Sequence, residues 1–199
     1  MNYFIIGNTK SGKTGVAKIL QRKYKNLDFL SASEMIKIEF IKKYPERFEN
    51  LDDYVKTITD FSVDLLQKDP KANAKYLKVK LQQSKQNKGK SFIIDGLRNP
   101  IDFMEIFNPL EDVIIYIDNY DRIPKTNFEE YGINAIRSYF GFLTVNGMLK
   151  NKIIHLYGYS YEEIFEKFCE EIEIEKFNFD ELYNEVKDEE IKEGKNYGN

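Results

Sequence analysis

The chain of 199 residues is poor in the side chains that carry much of enzyme chemistry. It has one cysteine, one histidine and no tryptophan. A lone Cys169 excludes an internal disulfide framework and a thiolate metal cluster. A lone His155 removes most schemes that need paired imidazoles as metal ligands or as acid and base; mid-run in Lys152-Ile-Ile-His-Leu156, it reads as a packed core residue. Cys169 reads the same way. Arginine is scarce as well, at positions 22, 47, 98, 122 and 137 only. The formal net charge of −3 gives no general attraction to nucleic acid or to anionic lipid. No apolar run approaches the length of a membrane span. The first residues enter a strand-like segment with no basic stretch and cleavage site before it. These features set the expectation of a soluble, cytoplasmic protein that has no membrane partner.

What is present is concentrated near the start. An apolar run, Tyr3-Phe-Ile-Ile6, turns into Gly7-Asn8-Thr9-Lys10-Ser11-Gly12-Lys13-Thr14-Gly15 and then into helical spacing through Val16, Ile19 and Leu20. Residues 7–14 fit G-x-x-x-x-G-K-[ST], the pattern of a phosphate-binding loop, and lie between a predicted strand and a predicted helix. Gly7 and Gly12 free the backbone to curl so that its N–H groups point inward. The helix that starts at Lys13 adds its positive end. On this reading residues 7–15 cradle the phosphates of ATP, Lys13 reaches the β- and γ-phosphates, and the Thr14 hydroxyl ligates Mg²⁺.

Periodicity orders the rest. Short strands are expected at 2–6, 27–30, 91–95, 112–118 and 152–156, with helices between them. Ser31 or Ser33 can cap a helix ending near Tyr44-Pro45. Further helices are expected from Leu51 to Asp69-Pro70, from about 71 to 86, from Pro100 to Phe107, from about 132 to 143, and from the capping-box signature Ser160-Tyr-Glu-Glu163. Residues 119–132 read as a polar loop. Alternating strands and helices argue for a parallel sheet covered on both faces. Phe92-Ile-Ile-Asp95 ends a buried strand in an acid, on the crevice side of such a sheet, where Asp95 is the second candidate for holding Mg²⁺.

Asp95-Gly96-Leu97-Arg98 resembles the D-G-x-x-R signature of the adenylate kinase family and its relatives, the phosphate-loop nucleoside and deoxynucleoside monophosphate kinases and dephospho-CoA kinase-like enzymes. The resemblance covers residues 1 to about 118. It implies a phosphate-loop NTPase fold: a five-stranded parallel sheet in the order 2-3-1-4-5, helices on both faces, and a helical acceptor-binding insertion at 31–90 between strands two and three. It implies a kinase-like domain over 1–177 with a lid-like region at 119–144; by its charge, 178–199 reads as an acidic tail. The activity implied is transfer of the γ-phosphoryl of ATP, with Mg²⁺, to a nucleotide-like acceptor, most simply a nucleoside monophosphate.

Within that resemblance Arg98 grips the acceptor's phosphate, consistent with the planar, bidentate guanidinium; a surface ion pair with Asp102 or Glu105 is its alternative. Arg122 is the first lid candidate and Arg137 the second. Ser31 and Ser33 are weaker acceptor contacts. Tyr157-Gly158-Tyr159 would lie near the adenine. Two rivals stay open. A dephospho-CoA kinase-like enzyme would take Asp28 or Glu34 as base. A regulatory ATPase without a small acceptor would fit the arginine-poor lid. Residues 71–90 hold seven lysines and no acid, either a solvated face or an attractor of anions. From Glu170 to Glu193 eleven acids face three lysines, which disfavours nucleic acid as a partner. A homodimer is left open.

Overall fold

In the computed structural model, residues 1–45, 51–88, 90–122, 127–149 and 153–174 are described. Arg47 and the expected acidic tail lie outside them. The order is β1 (Tyr3–Gly7), α1 (Lys13–Lys23), β2 (Leu27–Ser31), α2 (Glu34–Lys43), α3 (Leu51–Lys68), α4 (Ala72–Lys88), β3 (Ser91–Asp95), α5 (Pro100–Ile106), β4 (Val113–Asn119), α6 (Asn127–Val145), β5 (Ile153–Gly158) and α7 (Tyr161–Glu171). All five strands run parallel in one sheet ordered β2-β3-β1-β4-β5. The sheet order and the α/β class match the expectation.

The strands are short and apolar because both faces are covered. Alternate residues of the central strands divide between two cores. Ile5, Ile93, Ile115 and Ile117 pack with Val16, Ile19 and Leu20 of α1 and with Ile164, Phe165 and Phe168 of α7. Phe4, Ile6, Ile94 and Ile114 pack on the other face with Leu77 of α4, Phe103 of α5, and Ile133, Ile136 and Phe140 of α6. The second core is aromatic at its centre: Phe103 stacks on Phe107, and Phe4 meets both rings edge-on.

The three helices between β2 and β3 do not form one separate body. Ala74 and Leu77 of α4 are fully buried, and Leu77 belongs to the second core. By contrast, Phe40 of α2 gathers Tyr44, Tyr54 and Phe61 into an aromatic cluster of its own. The lysines of the α4 region face acids of neighbouring elements. Lys71 and Lys78 both reach Glu105 on α5, Lys75 reaches Asp69, and Lys90 reaches Asp28. The two ammonium groups hold Glu105 down to about 2.

Two expectations fail in instructive places. His155 is exposed, not packed: its Nε2 lies 2.9 Å from Asp118 Oδ2. β5 is the sheet edge, and on it only Leu156 and Gly158 are buried. The segment expected to be a loop up to 132 is helical from Asn127.

At Ser160 the expected cap forms, with the hydroxyl accepting from Glu163 N–H while the Glu163 carboxylate accepts from Tyr159 N–H. Pro100 opens α5 behind Asn99, whose side chain accepts from Ile101 N–H. Ser33, in contrast, stands at the start of α2 without making a side-chain cap. Cys169 is buried, as expected.

Candidate functional site

β1 is central, and the chain leaves its carboxyl end towards β2 on one side, while β4 leads to β5 on the other. Such a reversal opens a crevice outside the carboxyl ends of the strands. The strands bring Gly7, Ser31, Asp95, Asn119 and Gly158 to that edge.

The two early glycines serve different needs. Gly12 has φ of +104° and precedes the first turn of α1, so it turns the chain into the helix in a conformation costly for other residues. Lys10, at φ of +60°, shares the left-handed bend. Gly7 is not left-handed. Its need is space: a Cβ there would stand 2.7 Å from the Ile117 carbonyl oxygen on β4 and 2.7 Å from Ser11 Oγ. Gly15 lies in the first turn of α1, where a Cβ would stand 2.1 Å from Phe165 Cζ. For these two, close packing explains the glycine.

Between them the loop is tight. Ser11 N–H donates to the Asn8 carbonyl at 3.1 Å. Ser11 is wholly buried, and among the described residues its hydroxyl has no hydrogen-bond partner. The Lys13 ammonium folds back over the loop, donating to the Gly7 carbonyl at 3.1 Å and to the Asn8 carbonyl at 2.7 Å. The first-turn amides of α1 are left by helix geometry without intrahelical acceptors, and no acid stands in that turn. Thr14 is exposed at its mouth.

Asp95 ends β3, the strand beside β1. Burial pushes its carboxyl up, against the opposing pull of the Lys13 ammonium, the Gly96 N–H and the Arg98 guanidinium. Its residue surface is only partly covered, but the carboxyl itself is the desolvated part. A desolvated carboxylate with cations to one side gains strongly from a further positive charge. Asp95 and the Thr14 hydroxyl are both hard oxygen donors, the kind that suits Mg²⁺.

No family model of known proteins matches the chain, and no curated protein matches it. The site's reading therefore rests on its own geometry.

The remaining sequence candidates divide. Arg98 joins the loop directly, its guanidinium donating to Thr9 Oγ1 at 2.8 Å. The acids named as its alternatives are engaged elsewhere, Asp102 with the Ala74 N–H and Glu105 with lysines. Arg122 also belongs to the site. Its carbonyl accepts from Asn8 Nδ2 at 3.2 Å, and its guanidinium lies over the Tyr161 ring at 5.6 Å. Arg137 is directed elsewhere, over Tyr116 and 4.0 Å from Asp118. Ser31 and Ser33 share a hydroxyl contact of 2.9 Å beside Gly96. Asp28 lies near the start of β2, registered with Phe92, away from the carboxyl edge and paired with Lys90. That position removes it as a base. Glu34 opens α2.

Two residues at the site escaped the sequence reading. Tyr161 was legible only as part of a capping pattern, yet its hydroxyl donates to the Lys10 carbonyl at 2.9 Å. Gly132 of α6 lies against the backbone of Arg98, where a Cβ would stand 1.8 Å from the carbonyl oxygen. Neither pairing has a local signature, because each joins segments far apart in the chain.

Among the described residues no cluster of three or more His, Cys, Asp or Glu side chains is placed to hold a metal, and no helix is long and apolar enough to cross a membrane.

Proposed function

We propose that the chain is a phosphate-loop phosphotransferase that moves the γ-phosphoryl of ATP to a nucleotide-like acceptor, most simply a nucleoside or deoxynucleoside monophosphate. One observation carries the reading. A loop with a left-handed Gly12 leads from the central strand into a helix whose first lysine folds over the loop, and a desolvated aspartate ends the neighbouring strand. A polyanion suits this arrangement: it offers acceptors to the first-turn amides of the helix and negative charge to Lys13.

The residues divide the work. The amides of residues 8–15 bind the donor phosphates. Lys13 exchanges its two carbonyl acceptors for phosphate oxygens and offsets the charge that builds on the transferring group. Thr14 and Asp95 would hold Mg²⁺, which when bound supplies positive charge at the phosphate oxygens. Arg98 orients the acceptor, and Arg122 closes over the donor from the segment after β4. In the transfer, the bond from the γ-phosphorus to the bridging oxygen breaks and ADP keeps that electron pair. An oxygen of the acceptor's phosphate forms the new bond. That oxygen is already anionic, so no side chain need remove a proton.

The test is an assay with ATP labelled at the γ-phosphoryl and a panel of ribo- and deoxynucleoside monophosphates together with dephospho-CoA. Label appearing in a nucleoside diphosphate supports the proposal, and label in coenzyme A moves the acceptor to a sugar hydroxyl. Arg137 turned onto Asp118 favours a second reading, a regulatory ATPase. Its sign would be slow ATP hydrolysis that no acceptor accelerates.

A further inference from the structure

We infer that Tyr161, the first residue of α7, is a positioning residue that sets both the phosphate loop and the Arg122 guanidinium above it. The inference rests on the proposed binding of ATP at that loop.

Four contacts meet at this one side chain. Its hydroxyl donates to the Lys10 carbonyl at 2.9 Å, at the residue where the loop bends through positive φ. Its ring flanks Gly12, where a Cβ would be 3.4 Å from it. Its outer face carries the Arg122 guanidinium at 5.6 Å from the ring centroid. Behind it, the Phe165 ring stacks nearly parallel, at 10° and 5.9 Å. Phe165 in turn fills the space left by Gly15 and is buried in the core between α1, α7 and the sheet.

A chain of contacts therefore runs from the core through Phe165 and Tyr161 to Arg122, alongside the loop. It solves two problems. A bend at Lys10 in the left-handed region costs energy, and the Tyr161 hydroxyl holds the carbonyl that follows it. Arg122, on an exposed segment, would otherwise sample many rotamers; the ring face limits them by a cation–π contact. Asn8 completes the link by donating to the Arg122 carbonyl. Loop and cation are thus set by the same tyrosine, and Arg122 comes to the far end of the bound polyphosphate already oriented.

Two functions of one residue separate by substitution. Tyr161→Phe removes the hydroxyl and keeps the ring. Tyr161→Met keeps much of the bulk and removes both the hydroxyl and the π face. The measurement is calorimetric titration of the 199-residue chain with Mg·ATP and, separately, with Mg·ADP. Tyr161→Phe should weaken both nucleotides by a similar factor of about three, the scale of one neutral hydrogen bond. Tyr161→Met should lower the preference for ATP over ADP by about fivefold, as should Arg122→Met, because both free the cation that meets the γ-phosphate. The double variant should lose no more of that preference than either single variant.

A tyrosine that merely supports the fold would weaken both nucleotides alike and leave the ratio intact. An ATP-to-ADP ratio unchanged in Tyr161→Met, or effects that multiply in the double variant, overturns the inference. If Tyr161→Met fails to fold by thermal melting, Tyr161→Leu carries the same measurement, and an ATP-to-ADP ratio unchanged in it overturns the inference. Failure of the underlying reading looks different: the unaltered chain would then bind neither nucleotide.

Discussion

Gly132 of α6 stands so close to the backbone of Arg98 that an added Cβ would lie 1.8 Å from the Arg98 carbonyl oxygen. Glycine within a helix ordinarily costs about 1 kcal/mol relative to alanine, so Gly132→Ala would be stabilising on an unpacked surface. Here it should destabilise the chain by about 1–3 kcal/mol, because the obstacle is backbone that cannot rotate away. Gly141, in the same helix, meets nothing within 4 Å. Gly141→Ala should stabilise by roughly 0.5–1 kcal/mol. Urea unfolding of both variants checks the pair; shifts of the same sign would refute the close approach. Gly132→Ala should also disturb use of the acceptor, since α6 would push on Arg98, the residue proposed to orient it.

Much of this architecture was legible because local and global preferences agree. Five apolar runs, the Ser160 cap and the Pro100 start all lie where the structure has them. Two things were not legible, for physical reasons. The start of α6 was hidden because polar residues and Gly132 give the pattern of a loop; the helix is fixed by contact with the distant Arg98. His155 was misjudged because a run such as Ile-Ile-His-Leu looks buried, and nothing local reveals that β5 is an edge strand. At the site itself, the loop residues and Asp95 could be named from motif alone. Tyr161 could not, since its partners Lys10 and Arg122 are close to it only in space. Gly7 and Gly15 were read as part of a phosphate-binding loop; the structure gives close packing as a reason for glycine at each.

Asp102 makes folding depend on pH. It is almost fully buried, its Oδ1 accepts from Ala74 N–H at 3.0 Å near the start of α4, and among the described residues its Oδ2 has no hydrogen-bond partner. Burial pushes its carboxyl up to about 6, against the Ala74 N–H and the Asn73 and Asn99 side chains. Below its ordinary value of 3.8 both folded and unfolded states hold the proton. As pH rises towards 6, the unfolded chain has released it while the folded chain still retains it, so stability falls and stays lower above that point. Asp102→Asn removes the titration and keeps the acceptor for Ala74. Between about pH 3 and 7, the variant should gain on the wild type by up to ~3 kcal/mol, the equivalent of a shift of about two units. Comparing the two proteins cancels Asp95 and Asp112, whose carboxyls are also raised by burial. A difference that does not change with pH over that range would show that Asp102 is not desolvated.

Arg98→Lys tests the acceptor role. A lysine keeps the charge but loses the planar fork. The KM of the accepting monophosphate should rise by about tenfold or more, since a charged bidentate contact contributes at least 1.5 kcal/mol, while affinity for Mg·ATP stays within about threefold. Steady-state kinetics with the acceptor varied, beside an ATP titration, separates the two. Loss of ATP affinity with an unaltered acceptor KM would make Arg98 a part of the donor site through its contact with Thr9.

Lys13 offers the sharpest contrast between folding and chemistry. In the structure its ammonium donates to two loop carbonyls, and hydration of the part-exposed loop offsets most of the loss of such contacts. Lys13→Ala should therefore melt within a few degrees of wild type. Its turnover should fall by about a thousandfold or more if the lysine meets charge developing on the phosphoryl group. Turnover near that of wild type would remove Lys13 from the reacting centre.

The central claim, a loop built to wrap a polyanion, is tested most directly by titration calorimetry of the purified chain with Mg·ATP and Mg·GTP. The account predicts saturable heat at one site for at least one of them, weakened at least tenfold in Lys13→Ala, about the 1.4 kcal/mol or more that one charge-assisted contact supplies. No heat from either nucleotide at concentrations up to the millimolar range would contradict it.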